Sequence, residues 1–231
     1  MDNGCKSCAN KMPWLSLYRR CWAALEKSEM SRVRVAWMMA ICICESGGNG
    51  YAPRGSQVIV DAMKRLTSLT GIGQSDFLLW VMQREGLVKS AVPKFRFEPT
   101  WYEQLKQKSE FDALEPAQKA TLACSWGIAQ QAGLYLSPDD HPLDQLTYCK
   151  HFMYSEEMQL ARLVHNLGQI EAYQPDAGAL RFTRYNAGLH THRINDYGSR
   201  AANIAYGFER AIETGGLRGC LDLTHGPQSS T

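Results

Sequence analysis

Glu45 is the residue in this chain best placed to do acid chemistry, within Cys44-Glu45-Ser46-Gly47-Gly48-Asn49-Gly50. It closes a helical pattern, Ser31 to Glu45, in which Val33, Trp37, Ala40, Ile41 and Cys44 recur at helical spacing. At about 100° per residue, Glu45 falls about 40° from Ile41, beside the buried stripe. Apolar neighbours would desolvate its carboxylate, and the helix C-terminus adds partial negative charge. Both raise its pKa. A carboxylic acid that keeps its proton near neutral pH can deliver it to the bridging oxygen of a glycoside. Gly47, Gly48 and Gly50 leave room for a bulky chain to approach, although Gly47 is also a plausible helix cap at an ordinary surface.

A second carboxylate would be needed to activate water in an inverting hydrolysis, about 6.5–9.5 Å from the first. Glu98 is the first candidate because it follows the alternating segment Lys94-Phe95-Arg96-Phe97. Asp61 is the second. His190-Thr-His192 has metal-capable spacing but no third ligand, so a solvent-exposed loop explains it better. Cys5 and Cys8 have the spacing of half a zinc site without a second half, and no metal or other cofactor is expected. Cys42, Cys44 and Cys124 lie in apolar helical stretches, where cysteine is a small buried side chain. The even count of 8 cysteines also permits disulfides.

The elements that must hold these groups are helical. The patterns predict helices over Trp14–Lys27, Ser31–Glu45 with Ser31 as cap, Ser56–Leu69, Asp76–Glu85, Thr100–Lys108, Pro116–Cys124, Glu156–Tyr173, Ala177–Tyr185 and Ala201–Thr214. Thr70–Ser75 reads as a turn and Asp139–Pro142 as a loop. One small β element is expected, over 94–98. Residues 1–13 and 216–231 read as polar tails around one domain, 14–215.

The 231-residue chain is 45% apolar and 21% charged, with a net charge of +2. It can bury a sizeable core, and it has no basic cluster of the kind that binds nucleic acid. The apolar run Ala36–Cys44 is too short to span a membrane. The polar N-terminal stretch has no signal-peptide core.

Three motifs in order carry a resemblance. The Glu45-Ser46 stretch resembles the catalytic Glu-Ser motif of soluble lytic transglycosylases and goose-type lysozymes. Ser125-Trp126-Gly127-Ile128-Ala129-Gln130 resembles their Gly-Leu-Met-Gln motif, and Arg184-Tyr185-Asn186-Ala187-Gly188 their Tyr-Asn-Ala-Gly motif. Phage-type N-acetylmuramidase domains are also similar, through Glu-Ser-Gly-Gly, Phe97-Glu98 and Ser125-Trp126-Gly127. The set covers most of the chain, from about 31 to 214, and departs from the transglycosylases in a long insertion between residues 50 and 120.

The resemblance implies a lysozyme-like fold, mainly α within an α+β plan. It also implies cleavage of the β-1,4 bond between N-acetylmuramic acid and N-acetylglucosamine in peptidoglycan. Glu45 would be general acid, then base. Ser46 would orient the sugar or the Glu45 carboxylate, and Gln130 would bond the glycan. Tyr185 would hydrogen-bond near Glu45, and Asn186 would position its loop. The cleft would be framed by the Glu45 helix end, Ser125–Gln130 and the loop Arg184–Gly188. If neither Glu98 nor Asp61 reaches it, one acid does both tasks and the sugar's own hydroxyl gives a 1,6-anhydro product. Peptidoglycan strands would be the partner, reached in the periplasm or cell wall by phage lysis, a virion or a secretion system. A holin or an immunity protein would accompany such delivery. The rival reading is a non-catalytic wall-binding or structural component, whose tryptophans stack on sugars.

Overall fold

The computed structural model describes residues 12–28, 30, 32–82, 91–135 and 141–215. In chain order its elements are α1 Met12–Glu26, α2 Val35–Ser46, β1 Tyr51–Pro53, α3 Gln57–Thr70, α4 Gln74–Met82, β2 Ala91–Pro93, β3 Phe95–Phe97, α5 Pro99–Gln107, α6 Pro116–Leu122, β4 Cys124–Trp126, β5 Gln131–Ala132, α7 Pro142–Met153, α8 Glu156–Tyr173, α9 Ala179–Ala187 and α10 Asp196–Glu213. The architecture is mainly helical with short antiparallel strands. No helix among the described residues is long and apolar enough to cross a membrane.

Internal contacts divide the chain into two compact units. One joins the residues through Cys44 to those from Leu160 onward; the other is Glu45–Gln159. The division falls inside the last turn of α2 and the first turns of α8.

In the first unit, α2 is apolar on nearly every side rather than along one stripe. Every residue from Val35 to Cys42 is buried, because a helix with no polar face has nothing to offer water. Its Trp37 is clamped by charges. The indole Nε1 donates to Glu209 Oε1 at 3.1 Å, which also accepts from Arg34 at 3.2 Å. The Arg181 guanidinium lies 3.3 Å from the centre of the Trp37 ring. Arg181 Nε in turn reaches Glu171 Oε1 at 2.5 Å, deep in the unit. The α9–α10 corner closes around Asn195, the cap of α10, whose side chain accepts from the Gly198 amide at 2.8 Å. A Cβ at Gly198 would collide with the Thr183 side chain, so the two helices pack as closely as they do because position 198 has none.

In the second unit, the core gathers residues of α3 to α7 and of the strands. Phe77, Phe95 and Trp126 form an aromatic cluster with ring centres 5.3–6.4 Å apart. β1 pairs with β2, Tyr51 opposite Pro93. A second sheet runs β3-β4-β5, with Phe95 opposite Trp126 and Trp126 opposite Gln131. In β3 the expected alternation holds: Phe95 and Phe97 point into the core and Arg96 outward.

Several expectations are corrected. The helix expected over Pro116–Cys124 stops at Leu122, and Cys124 opens β4. A short apolar run does not by itself separate strand from helix, and here the free edge of β3 claims it. The β content is therefore larger than the one element at 94–98. Pro142 begins α7 instead of closing a loop, as proline fits a first helical turn. The Thr70–Ser75 turn ends early, because α4 starts at Gln74. Met12 and Pro13 belong to α1 rather than to a tail. α10 starts at Asp196, ahead of the expected Ala201, because Asn195 caps it there. The expected cap Ser31, the end of the Asp76–Glu85 helix, residues 139–140 of the expected loop, Cys5, Cys8, Cys220 and the tails 1–11 and 216–231 lie outside the described residues.

Candidate functional site

The α2 helix ends at Ser46, and Gly47 turns the chain with φ +70°. Glu45 stands half-buried in that last turn, and Ser46 is buried. Ser46 Oγ donates to the Ile128 carbonyl at 2.7 Å. One bond thus joins the first motif to the second across 82 positions of sequence.

Lys94 completes the junction. It is the single residue between β2 and β3, and all its polar groups are used. Its amide donates to the Gly50 carbonyl at 2.7 Å, and its own carbonyl accepts from the Gly127 amide at 2.9 Å and Gln130 Nε2 at 3.2 Å. Its ammonium donates to the Ser46 carbonyl at 2.6 Å. Partial burial lowers the Lys94 pKa.

The second motif is a strand that breaks into a tight turn. Ser125 and Trp126 are buried in β4, and Trp126 Nε1 donates to the Thr121 carbonyl at 2.9 Å. Trp126 is thus core rather than a sugar platform. Gly127 adopts φ +77° and Gln130 φ +46°. Gln130 Nε2 also donates to the Gly127 carbonyl at 2.9 Å, so its side chain braces the turn it ends.

Gln159 of α8 locks this turn from beneath. Fully buried, it accepts from the Ile128 amide at 2.9 Å and donates to the Phe152 and Met153 carbonyls, each at 3.1 Å. Two glycines make the approach possible. A Cβ at Gly50 would come within 2.8 Å of the Ile128 nitrogen, and one at Gly127 would overlap the Gln159 carboxamide. Gly127→Ala is therefore expected to destabilise the protein through a left-handed backbone, about 1–2 kcal/mol, and through overpacking, about 1–3 kcal/mol. Chemical denaturation measures it. Wild-type stability in that variant would show that the turn relaxes freely.

Of the candidate carboxylates, Glu98 sits at the far end of β3 from Lys94. It is held by Arg96, whose Nε donates to it at 2.6 Å. Asp61 is exposed on α3 and accepts from Gln57 Nε2 at 2.6 Å. Neither makes a bond to the Ser46–Lys94–Ile128 junction.

The third motif belongs to the first unit. Arg184 to Ala187 form the last turn of α9 rather than a loop, and Gly188, with φ +98°, ends it. Tyr185 is half-buried. Asn186 is exposed and accepts from Asn195 Nδ2 at 3.3 Å. Arg184 is buried beneath them: it donates to Gln174 Oε1 at 2.6 Å and to the Thr191 carbonyl at 3.2 Å, over the Tyr173 ring. His190 packs edge-on against Tyr173, and no metal-holding group of three His, Cys, Asp or Glu occurs among the described residues. Burial pushes the thiols of Cys124 and Cys149 up, away from the thiolate a nucleophile needs.

Lys94 and Gln159 are functional candidates that spacing did not reveal. The only sequence trace of them is indirect: glycine in both motifs marks a close backbone approach. Compared with known protein families, curated proteins and solved structures, the chain gives no match.

Proposed function

We propose that this chain is a lysozyme-like enzyme that cuts the β-1,4 bond between N-acetylmuramic acid and N-acetylglucosamine in peptidoglycan, with Glu45 as its acid. The observation that supports it is the Ser46–Ile128 hydrogen bond, which holds a Glu-Ser-Gly-Gly turn against a Trp-Gly-x-x-Gln turn. Residues far apart in sequence are joined at the two places where the resemblance puts the acid and the glycan-binding amide.

In this reading Glu45 gives its proton to the bridging oxygen as the bond from that oxygen to the muramic acid C1 breaks. The leaving N-acetylglucosamine departs as an alcohol, and C1 becomes electron-poor. The Glu45 carboxylate then takes a proton from the nucleophile that attacks C1. An extended stretch from Lys94 to Glu98 covers about 13 Å, and Arg96 engages Glu98 at its far end. We therefore assign both proton transfers to Glu45. The nucleophile is then the muramic acid 6-hydroxyl, and the product carries a 1,6-anhydro ring. Tyr185 and Asn186 enter the proposal through the third motif alone.

Purified peptidoglycan incubated with the protein and analysed by mass spectrometry tests both parts. Muropeptides one water lighter than hydrolysed ones are expected. Hydrolysed ends would overturn the single-acid route and return Glu98 or Asp61 to consideration. An uncut wall to which the protein still adheres would replace the enzyme with a binding module.

A further inference from the structure

We infer that Lys94 is a positioning residue for Glu45, acting through the Ser46 carbonyl; this rests on the proposed role of Glu45. The last carbonyls of a helix lack partners within it. Ser46 is the final residue of α2, one position after the acid. Its carbonyl receives a half-buried ammonium at 2.6 Å. A cation at a helix C-terminus is favourable, and it fixes where the helix stops.

An ordinary surface lysine would extend its charge into water or towards a carboxylate. Lys94 has no carboxylate partner among the described residues, and burial disfavours its charged form. Its backbone is tied on both sides. The chain leaves β2, whose Pro93 pairs with Tyr51, and enters β3, whose Phe95 pairs with Trp126. The bonds to Gly50 and Gly127 hold the residue between. The ammonium thus hangs from a rigid mount and reaches back 48 positions to the turn that follows the acid. Ser46 is then held twice: its carbonyl by Lys94 and its hydroxyl against Ile128. With both bonds made, the final turn of α2 cannot fray, and the Glu45 Cα keeps one position.

The test compares Lys94→Met, which keeps the length of the stem, with Lys94→Arg, which keeps the donor. Two measurements are made on the full-length protein. Hydrogen exchange reads the 45–50 segment without reference to activity. It is expected to quicken there in Lys94→Met and to stay near wild type in Lys94→Arg. Steady-state cleavage of soluble glycan strands reads the consequence. In Lys94→Met, kcat should fall about 10–100-fold, as for a catalytic group displaced by about 1 Å. KM should stay within about twofold, and Lys94→Arg should recover most of the loss. Unchanged exchange in Lys94→Met overturns the inference, whether or not glycan is cut. So does a global loss of structure shared by both variants, which would make Lys94 a general fold tie. If exchange responds as expected while the wild-type protein cuts no glycan, the hold on the helix end stands and the proposed reaction falls.

Discussion

Replacing Glu45 with glutamine is expected to abolish lysis of purified cell walls while leaving the melting temperature nearly unchanged. Glutamine matches the shape of glutamic acid and can still donate a hydrogen bond, but its amide has no proton to transfer at neutral pH. Acid–base groups of this kind contribute about 10²–10⁴-fold to rate. A residue that performs both transfers should stand at the upper end of that range. The fold is expected to survive because glutamine fills the same space and the bonds made by Ser46, Lys94 and Gly50 stay in place. Turbidity loss of a wall suspension gives the activity, and a thermal melt by circular dichroism gives the stability. Full activity with an unaltered melt would remove Glu45 from the chemistry and leave the Ser46–Ile128 junction as architecture. Inactivity with a collapsed melt would say that the residue is needed for folding.

The parts of this fold legible from the sequence are those whose boundary signals are local. α8 follows its pattern from Glu156 to Tyr173, with Ser155 accepting from the Met158 amide at its start. Pro99 and Pro116 both mark helix starts. The strands are only two or three residues long, and each exists because a distant partner offers an edge. Cys124 reads as helix until β3 is placed beside it. α7 is not among the expected helices because its buried face, Pro142, Gln145, Leu146, Cys149, Phe152 and Met153, includes a polar Gln145, and Asp144, Lys150 and His151 interrupt its apolar residues.

The same distinction governs the site. Glu45, Ser46 and Gln130 stand in short local motifs. Lys94 matters because of a bond across 48 positions, and Gln159 because of one across 31. In the sequence, Gln159 is one more polar residue near the start of an amphipathic helix. Its burial beneath the Gly127 turn follows from how α8 meets that turn, which no spacing within α8 encodes.

Arg181→Met is expected to cause the largest loss of stability of any single substitution discussed for the first unit. Arg181 and Glu171 are both almost wholly enclosed, with side chains 6% and 4% exposed, and they meet at 2.5 Å. Such a pair is not strongly stabilising in itself, because desolvating two ions offsets most of their attraction. Breaking it is another matter. Methionine would leave the Glu171 carboxylate enclosed with no cation beside it, at a cost of about 3–5 kcal/mol. That corresponds to a fall in melting temperature of about 6–20 °C for a chain of this size. Contact with the Trp37 face would be lost as well. Arg181→Lys keeps the charge but not the flat guanidinium that lies over the ring, so an intermediate loss is expected. The double variant Arg181→Met, Glu171→Leu separates the causes. If the cost comes from the stranded charge, removing it should restore most of the stability, and the two substitutions should be strongly non-additive. Additive losses would trace the effect to the stack on Trp37 instead, and an unaltered melt in Arg181→Met would mean that Glu171 finds water or its proton without penalty.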